Sequence, residues 1–356
     1  MSLEIDQKIM KAIILSIKDD FKEEDYAILE NSLERIKKSE QYETAQILWN
    51  VEGYKQILKQ REYQNGFCSR LLYQYHEPIS EFEIFIEHCI KIIHDMKYPE
   101  DKYPNTCKVL NGICARAILI ANEILCLIKN GFASGALARW RTLYEYSVIA
   151  IAIIKFGEET ACKYIAYNAI TNYSEAKTYN EHSAMLGFDS IPLDELNGLK
   201  SSAEEAQRKY PDLKECKDYS WAKPHINKLS FAELAKITDI NYYRPYYRFS
   251  CHYIHGTAKG IFYDLGQIYG LDEKNSRILA RTNYGFTDPL QLTMTALLNI
   301  ISATVSIEPD INMQIQIIYL RDKLAKIAES CYEVEKDIQE QEKLNTEISD
   351  IFNELI

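Results

Sequence analysis

Helix breakers are scarce in this chain, with 13 glycines and 9 prolines among 356 residues. Alternation of apolar and polar residues with a period of two, the mark of a half-buried strand, is nearly absent. These two shortages argue against a β-sandwich, a barrel or an α/β sheet. Long apolar runs are missing too. None approaches the ~18 uninterrupted residues of a membrane span; Val148 to Ile154 is the closest, and Leu290 to Ile307 is broken by Gln291, Asn299 and several Ser/Thr. The first residues carry Glu4, Asp6, Lys8 and Lys11, unlike the apolar core of a secretory signal. The nine cysteines are scattered and form no CxxC pair. That argues against a structural zinc site and fits a reducing compartment. A cytoplasmic protein without membrane association is therefore expected. The formal charge of −11 argues against a general nucleic-acid coat, but leaves room for a local basic cleft.

What is present is a three-and-four spacing of apolar residues along almost the whole chain, which predicts an all-α, multi-helix bundle. Residues 1–100 read as an N-terminal helical module. Ile5, Ile9, Ile13 and Ile17 trace one helix face; Ser39 is placed to cap a helix running to Gln60; Ser80 to Met96 forms another helix. Tyr98 to Asn105, with Pro99 and Pro104, reads as a linker. Residues 105–310 form the helical core. In it Thr106 to Lys129 is followed by Ser134 to Phe156, which is apolar almost all round and so is expected to be central. Glu158 to Leu186 carries a polar stripe of Asn168, Asn172, Glu175, Tyr179 and His182, read as a solvated face. An insertion spans about 189–228. Residues 311–356 form a long C-terminal helix. Its seam runs from Ile317 through Leu320, Leu324, Ile327, Cys331 and Val334 to Ile338, and serves either to pack on the body or to meet a second copy.

Several catalytic signatures are absent: there is no GxxxxGK[ST] phosphate loop, no HExxH and no GxSxG elbow. No cofactor is expected. No metal is expected either, since His252 and His255 offer two nitrogens without a third ligand at fixed spacing; a metal-dependent enzyme is the weakest reading.

The candidate chemistry lies in the stretch Asn241 to Gly260, NYYRPYYRFSCHYIHGTAKG. At about 100° per residue, Arg248, His252 and His255 fall on one helical face, with His252 about 40° to one side of Arg248 and His255 about 20° to the other. Arg244 joins that face if the helix begins before Pro245. Gly256 reads as the stop signal, with His255 at the helix C-terminus. An imidazole near neutrality moves protons, and a guanidinium holds phosphate by two parallel hydrogen bonds. Within the central apolar helix, Arg141 and Glu145 stand four apart and are expected to pair, with Glu145 orienting a residue of the Arg248/His255 helix. The nearby tyrosines, Tyr247 among them, fit either core packing or a binding surface.

The segments IKNGFASGALARWRTLYEYS and YYRFSCHYIHG resemble an uncharacterised bacterial family, domain of unknown function 5677. The residues that match its pattern are Arg141, Glu145, Ser250 and His255. The architecture also resembles the HEPN superfamily, small helical domains with a four-helix core that include metal-independent ribonucleases of toxin–antitoxin and anti-phage systems. The HEPN pattern of an Arg followed, after four to six residues, by a His is met by Arg248 and His255. The resemblance implies a homodimer with a shared cleft, RNA as substrate, and an antitoxin or defence protein as partner. In that reading Arg248, His255, His252 and Glu145 are catalytic, and Arg141, Arg244, Tyr247 and Ser250 bind. The rival reading is a non-enzymatic helical protein using the same residues as an interaction surface.

Overall fold

The computed structural model describes residues 37–49, 53–268 and 281–355, and over these the protein is all-α. The expected helix on Ile5, Ile9, Ile13 and Ile17 lies outside the described residues. The helices are α1 (Glu40–Ile47), α2 (Gly53–Gln74), α3 (His76–Asp95), α4 (Pro104–Lys129), α5 (Ala133–Phe156), α6 (Glu158–Leu186), α7 (Leu193–Lys209), α8 (Phe231–Lys236), α9 (Arg244–Cys251), α10 (Ala258–Phe262), α11 (Thr287–Val305) and α12 (Ile311–Leu355). Ser39 does cap α1, its hydroxyl oxygen accepting from the Tyr42 amide at 3.2 Å. Of the helix expected to run on to Gln60, the described parts are α1 and α2, and α2 continues past Gln60 to Gln74.

The chain divides into two compact units, one of Met1–Phe67 with Asn172–Lys200, the other of Cys68–Thr171 with Ser201–Ile356. The boundary expected near residue 100 falls inside the second unit, because α3 packs on α4, α11 and α12. In the first unit, the turn between α6 and α7 is held by side chains. Asn180 takes the Ile191 amide at 2.8 Å and gives its own N–H to the Ile191 carbonyl at 3.1 Å, while the Ser183 and Ser190 hydroxyls meet at 2.7 Å.

The second unit is built around α5, as its apolar composition requires. Trp140, Leu143, Tyr144 and Val148 are all buried. Helix α4 lies against one side of α5 and α11 against another. Two hydrogen bonds lock α5 to α11: Trp140 Nε1 to the Leu292 carbonyl at 3.0 Å, and Ser147 Oγ to the Ala296 carbonyl at 3.2 Å. The tight reversal between α4 and α5 needs Gly131 at φ 79°, a left-handed conformation that side chains with a Cβ rarely adopt. By length and composition α4 could cross a membrane, yet Leu110, Ile113, Ile120, Ile124 and Ile128 are buried inside the unit, as in a core helix.

The seam of α12 packs on the body of its own unit. Leu320, Ile327, Cys331 and Ile338 are buried, and the helix lies along α11 and α3. In the polar stripe of α6, Asn168, Asn172, Glu175, Tyr179 and His182 are all exposed.

Candidate functional site

Helix α9 opens with Arg244 and Pro245, so the ring that lacks an N–H occupies the first turn, where no partner is needed. Arg244 is exposed there; burial pushes the Tyr144 phenol up to about 12, with the Arg244 charge working against that rise. The α-helix stops at Cys251, four residues before the expected end at His255. From His252 the chain winds more tightly: the His252 amide bonds to Phe249 O at 3.0 Å and the Tyr253 amide to Ser250 O at 3.1 Å. The Ile254 amide follows the same i to i−3 pattern, while the His255 amide reaches back four residues to Cys251 O at 3.0 Å. Gly256 is not the stop. The glycine that shapes this turn is Gly260, since a Cβ there would collide with the His252 carbonyl oxygen.

That close approach brings α10 back onto His252. Its Nδ1 lies 3.0 Å from Thr257 Oγ1, and the same oxygen caps α10 by accepting from the Gly260 amide at 3.2 Å. His252 and His255 both line a hollow of about 270 Å³, together with Ser134, Gly135 and Ala138 from the start of α5. Ser134 donates to Asp264 at 2.8 Å. His255 and Arg248 are exposed, and neither side chain makes a hydrogen bond or ion pair among the described residues. Arg248 is not part of the hollow that takes the two histidines.

The expected Arg141–Glu145 pair forms, at 2.9 Å, and each side chain is about a quarter exposed (23% and 24%). It has a third member. Arg141 Nη2 donates to the Tyr247 hydroxyl at 2.8 Å, and that hydroxyl donates to Glu145 Oε1 at 2.7 Å. Burial first, and then the bond to Glu145, push the Tyr247 phenol well above the ordinary tyrosine range. Burial works against the Arg141 charge, but Glu145 and Tyr247 together hold its pKa up. The residue of α9 that Glu145 orients is therefore Tyr247, not Arg248 or His255. Tyr247 also rests against Phe231 at 4.7 Å and Tyr144 at 5.6 Å between ring centroids, so its position is fixed by packing as well as by charge.

Ser250 corrects its assignment as a binding residue. It is fully buried and donates to the Tyr247 carbonyl at 2.8 Å, so its hydroxyl serves its own helix. Phe249 packs edge-on against Tyr253 and Tyr263. Among the described residues, no three His, Cys, Asp or Glu side chains gather as ligands for a metal ion.

Residues 108–268 match the model of a family of unknown function (DUF5677). The matched segment covers just under half of the chain. It includes α5, the Arg141–Tyr247–Glu145 network and the histidine hollow, and leaves out α11 and α12. No curated protein and no solved structure matches the chain.

Sequence reasoning missed one feature near this site. Tyr219 lies within the insertion, outside the Asn241–Gly260 stretch, and it holds a left-handed backbone at φ 67°. Burial chiefly, then Glu145, raises its phenol pKa. The only hint in the sequence is the aromatic pair Tyr219 and Trp221 within an otherwise polar stretch.

Proposed function

We propose that this chain is a metal-independent endoribonuclease with a HEPN-like core, acting as a homodimer in the bacterial cytoplasm as a toxin or anti-phage defence protein. The observation that carries this reading is that Arg248 and His255 are exposed and uncommitted, while His252 and His255 share one hollow at the start of α5. The amide end of a 24-residue helix also favours an anion in that hollow.

RNA brings its own nucleophile. The 2′-hydroxyl attacks phosphorus, the bond to the 5′-oxygen breaks, and the products are a 2′,3′-cyclic phosphate and a 5′-hydroxyl. His255 takes the proton from the 2′-hydroxyl or delivers one to the leaving oxygen, and a second copy across the dimer supplies the other transfer. Arg248 holds the phosphate and stabilises its growing charge. Arg141, Glu145 and Tyr247 act as positioning residues, joining α9 to α5.

The test is cleavage of cellular RNA by the purified full chain, assayed with its partner and trigger. His255→Ala is expected to lower the rate by about 10²–10⁴-fold with the melting temperature kept within a few degrees. Cleavage is expected to survive EDTA and to leave cyclic phosphate ends. Loss of activity in EDTA would end the metal-independent reading. A second reading, a non-enzymatic interaction surface, is favoured by one contact: Phe249, next to Arg248, packs among Tyr253 and Tyr263 and offers no polar group. It gains if His255→Ala weakens capture of a partner protein while no RNA is cut by the parent chain.

A further inference from the structure

A larger hollow, of about 660 Å³, lies elsewhere in the same unit and is not used by the proposed cleavage chemistry. Its floor is α4, where Lys108, Gly112 and Arg116 stand at i, i+4 and i+8. One wall is Tyr146 on α5, another is Tyr164 on α6, and the far side is Tyr219 and Trp221 of the insertion. The volume is that of a small-molecule site. Tyr164 meets Trp221 edge-on at 5.0 Å between centroids, and Tyr219 lies 6.4 Å from Trp221. Tyr219 reaches this wall from a left-handed backbone, the kind of unfavourable conformation that accumulates at functional positions.

The charged groups of the hollow are open to solvent. Lys108 and Arg116 are exposed, and neither side chain makes a hydrogen bond or ion pair among the described residues, although the chain carries a formal charge of −11. They stand about 12 Å apart along the helix. Opposite them, Asp218 is exposed and takes only a 3.3 Å hydrogen bond from Tyr167. The hollow thus offers flat π-faces in the middle, cations on one side and a carboxylate acceptor on the other. A ligand that satisfies all three has a planar ring, a negative group and a hydroxyl or amine donor.

We propose that this hollow binds a nucleotide unit, its base against the tyrosine faces, its phosphate on Arg116 and Lys108, and a sugar hydroxyl or base amine on Asp218. The unit comes either as a free nucleotide or as one residue of an RNA strand. The proposal stands apart from cleavage at His255, since it uses neither histidine of the smaller hollow.

The experiment is equilibrium binding to the full chain, by calorimetry and by quenching of Trp221 fluorescence. The probes are ATP, GTP, AMP, inorganic phosphate, adenosine and a short oligoribonucleotide. At least one nucleotide is expected to saturate, and phosphate or adenosine alone to bind about tenfold more weakly or worse. Arg116→Ala is expected to weaken binding by about tenfold or more. Gly112→Leu is expected to block it with the fold intact, because a Cβ at Gly112 meets nothing within 4 Å. His255→Ala is expected to leave it unchanged, which separates this site from the cleavage reading. An oligoribonucleotide that binds much more tightly than any mononucleotide marks a strand subsite; equal affinities mark a site for the free nucleotide. Absence of saturable binding by every nucleotide and by the oligoribonucleotide overturns the proposal. So does binding that Arg116→Ala and Gly112→Leu both leave untouched.

Discussion

Tyr247 donates its hydroxyl proton to Glu145 at 2.7 Å, and this bond ties α9 to the central helix α5 across 102 residues of sequence. The same hydroxyl accepts from Arg141, so three side chains from two helices satisfy one another. Glu145→Ala is expected to cost about 1–3 kcal/mol, because a charged hydrogen-bond partner is removed and Arg141 keeps its partly buried charge. The cost stays below the several kcal/mol of a fully enclosed pair, since water reaches both side chains. Tyr247→Phe keeps the ring packing and is expected to cost less than Glu145→Ala. Chemical denaturation of the two variants checks the order. Equal stability of Glu145→Ala and the parent chain would show that the network contributes nothing to the fold.

Helix α4 begins without a cap of its own and borrows one from α6. Glu158 accepts from the Asn105 amide at 3.0 Å and from the Thr106 amide at 2.9 Å. Burial alone would raise the Glu158 pKa, but the amide of Thr106 and the side chain and amide of Asn105 outweigh it and lower the value. A carboxyl lowered in the fold stabilises it above its unfolded pKa, and that stability fades as pH falls through the folded value. Glu158→Ala is expected to cost about 1 kcal/mol at neutral pH. The difference from the parent chain is expected to shrink in melting curves taken below about pH 4.

Glu335 on α12 does the reverse. It is almost fully buried and accepts from the amides of Phe286 and of Thr287, the latter at 3.0 Å, where α11 begins. Burial raises its pKa despite these bonds. A carboxyl raised in the fold takes up its proton before the unfolded chain does, so this group adds stability as pH falls from neutral toward the ordinary carboxylate range. Glu335→Gln keeps an acceptor without the charge and is expected to match or exceed the parent stability at pH 7. Glu335→Leu strands two amides and is expected to cost about 1–3 kcal/mol. Urea melts at pH 5 and pH 7 separate the three proteins.

His225 is stacked on Phe156, with ring centroids 3.8 Å apart and planes 3° from parallel, and its Nε2 lies 3.3 Å from Thr160 Oγ1. Burial, then the Lys163 charge, lower its pKa. The folded protein therefore binds this proton less readily than the unfolded chain, and stability drops as pH falls through about 6.5. His225→Phe keeps the stacking and is expected to flatten that part of the melting-temperature profile. An unchanged profile would place the acid sensitivity at another group.

A homodimer is expected at micromolar concentration, since a single Arg/His pair gains the second proton transfer from a symmetric partner. Because the α12 seam packs on its own unit, substitutions there, such as Ile327→Ala, are expected to lower stability rather than to split the dimer. Light scattering beside thermal melts reads both, and a monomeric mass would count against the shared-cleft mechanism. Arg248→Lys is expected to recover only part of the cleavage lost in Arg248→Ala, because lysine lacks the two-pronged donor geometry.

Much of this architecture is written in local spacing. The three-and-four recurrence of apolar residues determined an all-α fold, the bounds of α6 and the central place of α5, because the period of an α-helix repeats within a few residues. The Arg141–Glu145 pair is legible for the same reason: residues four apart share a helix face. What needs distant segments was decided only by the tertiary structure. Tyr247 joins that pair from 106 residues beyond Arg141. Glu158 caps a helix that begins 54 residues before it, at Pro104. The hollow over Arg116 draws on α4, α5, α6 and the turn at Tyr219. The Arg248/His255 face shows the limit most directly. Its spacing promised one continuous helix to His255, but the approach of Gly260 to the His252 carbonyl goes with an α-helix that stops at Cys251 and a tighter turn beyond it. Periodicity assigns each residue a face, and only the packing of one segment on another fixes where that helix ends and what its face meets.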